Sequence, residues 1–289
     1  MIEASPTTQT RTQALPRVEQ RRGDWRTNLL GLHSILSFVF LYAPIVVLVV
    51  FSFTNDSFGV VWKGFTLRWY GQLLQNERLF DATINTLKVA LISTLISTVI
   101  GTLMALALER YQFRGRTGLD ALLYLPIVIP EIVMALALLA FFAFSLGLLE
   151  TVSGMRWRLS IVTVIISHIA FSISFVVVVV RASLKGFDQR LEEAAQDLGA
   201  NEWQTFWRIT FPLILPGIIG GALLAFTISL DDFIITYFTT GPGTSLLPIE
   251  VYCKVKRGVT PEINAISSIM LAFSMVLVFL SQFVQRQRK

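Results

Sequence analysis

Three carboxylates lie within long apolar stretches of this chain, where charged side chains are rare. Glu131 lies near the middle of one apolar run, and Asp231 and Asp232 are adjacent in another. A charge at the centre of a membrane-spanning helix costs roughly 2.5–3.5 kcal/mol, so such residues normally face a protein interior or a wet cavity. Two interpretations stay open. Either Asp231 or Glu131 pairs with Lys88 or a backbone group for structure, or the carboxylates form an acidic lining for a cationic solute.

The two adjacent aspartates cannot both point in the same direction from a regular helix. Neighbouring residues of a helix point about 100° apart, because a turn holds 3.6 residues. Asp231 and Asp232 therefore diverge unless the helix unwinds at that point. His168, in the middle of another apolar run, is interpreted as a hydrogen-bonding packing residue, with a proton relay as the alternative.

Enzyme signatures are not found in the sequence. There is no glycine-rich phosphate loop ending in Lys-Ser or Lys-Thr, no His-Glu-x-x-His and no Gly-x-Ser-x-Gly. The single cysteine, Cys253, excludes a disulfide within the chain and a cysteine-rich metal site. We therefore expect no catalytic residue, no metal and no cofactor, and any energy for uphill transport must come from a partner.

The elements that carry these residues are apolar runs of membrane-spanning length. Hydrophobic residues make up 54% of the chain and charged residues only 15%, against about 25% charged in soluble proteins. About 20 apolar residues span a bilayer core, and their backbone groups must be paired within the segment, so each run is expected to be one helix. The predicted class is an all-α integral membrane protein with six spans, at roughly 29–53, 83–108, 119–148, 159–180, 213–238 and 263–284.

Basic residues predict the orientation in the membrane. Fifteen of the 24 Lys and Arg residues lie in the two tails and in loops 109–118 and 181–212, and eight lie in the opposite loops. By the positive-inside rule both termini and the 181–212 loop are cytoplasmic. The first apolar run lacks a small-residue cleavage site and is interpreted as a retained span. A nucleic-acid role is not expected, because the basic residues are scattered among short loops.

The most polar long segment between two apolar runs is residues 188–212. It predicts two short helices, the first ending at Gly199, where glycine tolerates left-handed backbone. Asn201 is a candidate N-cap for the second helix, which Pro212 is expected to end. One aromatic face of this second helix is predicted from Trp203, Phe206 and Trp207. That face either packs at the membrane or binds a partner protein.

This segment resembles a known coupling motif. Glu193-Ala194-Ala195, followed by Gly199, Ile209 and Pro212, is similar to the EAA loop of the permease subunits of binding-protein-dependent ABC importers. Phe211 departs from the leucine common before the proline. Further stretches, namely 126–131, 229–233, 240–243 and 247–265, resemble the spermidine/putrescine-type permeases, and the resemblance covers residues 29–284.

The resemblance implies a fold, partners and site residues. It implies the type I ABC importer permease fold, with residues 1–28 a disordered cytoplasmic tail, 29–284 the permease domain and 285–289 a second tail. The implied partners are an ABC ATPase dimer, a second homologous permease, an extracytoplasmic solute-binding protein and membrane lipid, in a bacterial inner membrane. The implied ATPase-coupling residues are Glu193, Ala194, Ala195, Gly199, Trp203, Phe206 and Pro212.

The resemblance also gives the three carboxylates a role. Glu131, Asp231 and Asp232 become candidates for the path of a polyamine. The alternatives are a related importer for an amino-acid derivative, an opine or iron, or else a channel or intramembrane enzyme without an ATPase.

Overall fold

The protein is built from helices throughout its described part. A computed structural model describes residues 25–59 and 61–286 of the chain, with side chains over 27–59 and 61–279. The helices are α1 Trp25–Phe51, α2 Arg68–Gln75, α3 Glu77–Arg110, α4 Arg116–Val128, α5 Glu131–Ser153, α6 Ile161–Lys185, α7 Arg190–Asp197, α8 Glu202–Thr205, α9 Phe211–Asp231, α10 Ile234–Thr239, α11 Leu247–Val255 and α12 Pro261–Arg286. A π turn, Phe206–Thr210, connects α8 to α9.

Six of the described helical segments are long and apolar enough to cross a membrane. The all-α class and the number of spans are confirmed. The chain divides into two units, residues 1–47 and residues 48–289. In its described part the first unit consists of residues 25–47 of the apolar α1, and the second contains all the sites discussed below. Of the predicted tails 1–28 and 285–289, residues 1–24 and 287–289 lie outside the described residues, and residues 25–28 and 285–286 belong to α1 and α12.

The third apolar run is two helices instead of one. α4 ends at Val128, Ile129 is extended with ψ at 137°, and α5 begins at Glu131 directly after Pro130. Proline has no backbone N–H and disfavours helical geometry in the residue before it, so the helix is interrupted here. The expected continuous span 119–148 was therefore wrong, and Glu131 lies in the first turn of α5 instead of at mid-helix.

The fifth apolar run is also interrupted, but not at a proline. α9 ends at Asp231, Asp232 is extended with ψ at 110°, and α10 begins at Ile234. The expectation that Pro212 ends the preceding helix was wrong. The backbone stays helical from α8 through the π turn into α9, and Pro212 lies in the first turn of α9. Pro212 has no backbone N–H to donate, and the π turn directly before it, where the Phe211 amide donates to the Phe206 carbonyl, is the local irregularity that accommodates the proline.

Helix α6 lies at the centre of the second unit, packed against α3 and α9. Val176, Val177 and Val180 of α6 are almost fully buried. Glycines permit this close approach: a Cβ at Gly101 of α3 would lie 2.8 Å from the Cβ of Val176. Gly217 and Gly221 of α9 face α6 in the same way, as their spacing on one face of the helix predicts.

Two short helices, which the sequence did not indicate, cover the start of α3. The Trp69 indole N–H of α2 donates to the Thr54 carbonyl at 2.7 Å, and the Leu247 amide of α11 donates to Thr86 Oγ1 at 2.8 Å. A turn at Gly241–Gly243 precedes α11, with Gly243 at φ +83°. Because α11 binds the first turns of α3, it lies at the opposite end of α3 from the 188–212 segment, which contacts Arg110.

Candidate functional site

A buried polar cluster lies where α9 gives way to α10. The His168 ring, on α6, is 2% exposed and makes contacts on both sides of the interruption. Its Nδ1 lies 2.6 Å from Ser229 Oγ of α9, and its Nε2 lies 2.9 Å from Thr236 Oγ1 of α10. Ser229 in turn lies 3.2 Å from Ser93 Oγ, at the midpoint of α3. The interpretation of His168 as a hydrogen-bonding packing residue therefore agrees with these contacts.

Asp232 belongs to this cluster. Its Oδ1 accepts a hydrogen bond of 2.9 Å from the Ile235 amide in the first turn of α10, and its Oδ2 lies 3.4 Å from His168 Nε2. The side chain of Glu131, in the first turn of α5, lies against the Asp232 carboxyl group. The two interrupted runs thus bring together a pair of carboxyl groups that are about one hundred residues apart in sequence.

Asp231 points elsewhere. It is exposed and lines an apolar cavity of about 320 Å³ between α2, α3, α9, α11 and α12. The cavity walls are formed largely by aliphatic and aromatic side chains, including Phe80, Leu230, Ile266 and Phe273. Although the helix unwinds here, the adjacent carboxylates still diverge. Asp232 lies in the polar cluster, and Asp231 lines the apolar cavity.

Lys88 does not take the pairing role considered for it. It is exposed on α3, and within the described part of the chain it forms no ion pair with Glu131, Asp231 or Asp232. The sequence reasoning missed Ser93, Ser229 and Thr236 as cluster members. A signal existed for two of them, because Ser229, Asp232 and Thr236 follow one another at spacings of three and four. That spacing predicts one helical face.

The 188–212 segment, called the coupling loop below, has the two helices that the sequence predicts. Gly199 has φ at +87°, and its amide donates to the Gln196 carbonyl at 2.8 Å, which ends α7. Asn201 caps α8 reciprocally with Gln204: Asn201 Oδ1 accepts from the Gln204 amide at 2.8 Å, and Gln204 Oε1 accepts from the Asn201 amide at 3.2 Å. These contacts make the coupling loop a structured helix–turn–helix.

The aromatic face of the coupling loop is exposed. Trp203 and Trp207 have their ring centroids 5.6 Å apart, and Phe206 and Phe211 pack against Trp207 at 5.3 Å and 4.9 Å. Trp203 is 70% exposed and Leu198, beside the turn, is 90% exposed. Rigid, exposed aromatic side chains on a structured segment are typical of protein interfaces.

The coupling loop is fixed to the membrane helices through Glu192, which sequence reasoning did not select. The Glu192 carboxylate accepts hydrogen bonds from Arg110 at the end of α3 and from the Thr210 hydroxyl in the π turn. The predicted neighbours Glu193 and Ala194 are exposed, and Ala195 is half-buried. α7 thus turns Glu192 toward the protein and leaves Glu193 and Ala194 on its outer face.

At the other end of α3, Glu250 holds α11 in place. Its Oε1 accepts from Arg78 Nη2 at 2.9 Å and from Ser245 Oγ at 2.7 Å. Burial would raise the pKa of Glu250, but the hydrogen bonds from Ser245 and Arg78 and the charges of Arg78 and Lys254 outweigh it and lower this pKa. The carboxylate of Glu250 is therefore stabilised in its charged form.

Comparison with known proteins identifies the family. Residues 97–287 match the family described as binding-protein-dependent transport system inner membrane component. The chain is 41% identical over 251 residues to the spermidine/putrescine transport system permease protein PotC of Escherichia coli K12. These residues make up 87% of this chain and 91% of that protein. It is 37% identical to the putrescine transport system permease protein PotI of the same strain, over 91% of each chain.

The fold matches solved importers as well. A crystal structure of a bacterial alginate ABC transporter in complex with an alginate-pentasaccharide-bound periplasmic protein contains a chain with a TM-score of 0.72 at 23% identity, covering 91% of this chain and 95% of that one. The chain therefore belongs to the inner membrane component family of binding-protein-dependent transport systems. It is a multi-pass permease with the ABC importer permease fold.

Proposed function

We propose that this chain translocates polyamines as one permease of an ATP-driven importer. The observation that carries the substrate is the pairing of Glu131 with Asp232 across two interrupted helices, next to Asp231 in an apolar cavity. A polyamine is a chain of methylene groups that carries several ammonium charges. Carboxylates suit its ammonium groups and apolar walls suit its methylene groups. The names of the relatives PotC and PotI support the same substrate class.

The coupling loop is the proposed input for energy. Its exposed aromatic side chains form a contact surface for an ABC ATPase, and Glu192 ties that surface to α3 and the π turn. From α8 the chain continues without a break into α9, which ends at the polar cluster. A displacement at the coupling loop therefore reaches the helix break through continuous helix, and rigid helices transmit displacement better than a flexible loop.

The remaining partners follow from this arrangement. A second, homologous permease would complete the path across the membrane, and a solute-binding protein would dock at the α11 end. The complex of the alginate transporter with a periplasmic protein is a precedent for such docking. The excess of basic residues around the coupling loop supports a cytoplasmic location for it and for both termini, in a bacterial inner membrane.

Amine uptake by the assembled importer tests the substrate. The chain is reconstituted with its ATPase, second permease and binding protein, and uptake of spermidine, putrescine and butylamine is measured. Asp232→Asn and Glu131→Gln each remove a charge-assisted contact, so uptake of spermidine should fall about 10-fold or more. Asp81→Asn is the matched control, because Asp81 is an exposed carboxylate on α3.

Two outcomes would count against the proposal. Normal spermidine uptake by both Asp232→Asn and Glu131→Gln would remove the acidic path. Failure of the wild-type importer to take up any amine, with uptake of another solute, would reject the polyamine class while leaving the importer function intact.

A further inference from the structure

The contacts of His168 extend across the interruption between α9 and α10. Ser229 lies in the last turn of α9 and Thr236 in the first turn of α10, and the two ring nitrogens reach one hydroxyl each. Asp232 lies between them in sequence and 3.4 Å from Nε2. Near one end of α6 the Thr163 hydroxyl donates to the Thr239 carbonyl at 2.7 Å, so α6 also fixes the last residue of α10.

We infer that His168 is the positioning residue that clamps the α9–α10 break and orients the Asp232 carboxylate for the cation path. This inference rests on the acidic path proposed above. Its physical reason is the geometry of the imidazole ring, which holds two hydrogen-bonding nitrogens on opposite edges. With the proton on Nε2, the ring donates toward Thr236 and Asp232 while Nδ1 accepts from the Ser229 hydroxyl.

The break needs such a clamp. No proline lies between Asp231 and Ile234, so the interruption is held by side chains instead of by the backbone. Asp232, which lies within the break itself, stabilises it by accepting a hydrogen bond of 2.9 Å from the Ile235 amide. His168 contributes from the neighbouring helix and is buried, so water does not compete for its partners.

The clamp also links the path to the rigid part of the protein. α6 is packed against α3 through Val176 and Gly101. The Ser229 hydroxyl, which contacts His168, also lies 3.2 Å from Ser93 Oγ on α3. The position of the Asp232 carboxylate is therefore set by two packed helices, as a binding group requires if it is to stay oriented.

Uptake by single and double variants of the assembled importer tests the inference. His168→Leu keeps the volume but removes both nitrogens, so spermidine uptake should fall about 10-fold or more. His168→Gln keeps a hydrogen-bonding group at the reach of Nε2 and should recover part of the loss. Ser167→Ala is the control, because among the described residues the buried Ser167 hydroxyl donates only to the Thr163 carbonyl of its own helix.

A double variant separates positioning from mere stability. If His168 acts through Asp232, the variant His168→Leu/Asp232→Asn should be no slower than Asp232→Asn alone, since the oriented carboxylate is already lost. The KM for spermidine should rise in His168→Leu and stay unchanged in the control Ser167→Ala. Losses that multiply in the double variant, or an unchanged KM in His168→Leu, would overturn the inference.

The same measurements distinguish failure of the acidic path from failure of the His168 clamp. If Asp232→Asn transports normally, the acidic path fails and the role of His168 falls with it. If Asp232→Asn is impaired while His168→Leu transports like the wild type, the acidic path stands and only the clamp is rejected.

Discussion

Replacing Gly217 with alanine tests the close packing of α9 on α6. A Cβ built at Gly217 overlaps the Ser183 side chain, with its Cβ 2.6 Å away and its hydroxyl closer still. The nearest backbone atom of α6, the Val179 carbonyl oxygen, is 3.7 Å away, which is ordinary contact. The overlap is therefore with one side chain, whose first carbon cannot rotate away.

The magnitude follows from two opposing effects. Overpacking a close helix contact costs about 1–3 kcal/mol, whereas alanine is more favourable than glycine in a helix by about 1 kcal/mol. Gly147→Ala in α5 has the second effect alone, because nothing lies near a Cβ at that position. The difference in unfolding free energy between Gly217→Ala and Gly147→Ala should therefore be about 1–3 kcal/mol, with Gly147→Ala the more stable.

Denaturation of the purified protein in mixed detergent micelles, followed by tryptophan fluorescence, measures this difference. Ser183→Gly removes both overlapping atoms. The double variant Ser183→Gly/Gly217→Ala should therefore be no less stable than Ser183→Gly alone. Ser183→Ala should not restore stability in this way, because it keeps the Cβ at 2.6 Å. Equal stability of Gly217→Ala and Gly147→Ala would refute the packing distance between α6 and α9.

Two further predictions concern opposite ends of α3. Trp203→Ala should abolish ATPase association in a pull-down and leave membrane insertion intact, whereas Trp157→Ala, 51% exposed in a different loop, should bind the ATPase normally. Equal binding by both variants would contradict the coupling surface. Because the folded-state pKa of Glu250 is lowered, its contribution to stability is complete above the unfolded value of about 4.3 and is lost as pH falls through the folded value. Between pH 7 and pH 3 the melting temperature should fall less steeply in Glu250→Gln than in the wild type. An equal slope in both proteins would exclude Glu250 as a source of the stability lost in acid.

Local sequence signals were sufficient for the coupling loop. Gly199 and Asn201 act through their own backbone and nearest neighbours, so a left-handed turn and an N-cap can be predicted from residue type and spacing. The end of the second helix could not be predicted, since a proline either stops a helix or starts one. The π turn before Pro212 decides between these outcomes, and it depends on how α9 packs.

The role of Glu192 shows a second limit. Glu192 and Glu193 are equivalent in composition and neighbours in sequence, and both lie in the first turn of α7. Only the packing of α7 beside Arg110 and Thr210 turns one inward and leaves the other exposed. Sequence reasoning selected the exposed residue as a coupling candidate and overlooked the anchoring one.

The sequence alone determined the class of this protein, the number of its spans and the position of the helix–turn–helix segment 188–212. These properties follow from composition, run length and short-range spacing, each of which acts within about twenty residues. Only the tertiary structure decided which carboxylates meet. Glu131 reaches Asp232 because both apolar runs are interrupted, and Asp231 is directed into a separate cavity. Contacts between residues far apart in sequence depend on how helices pack, and no local pattern encodes that arrangement.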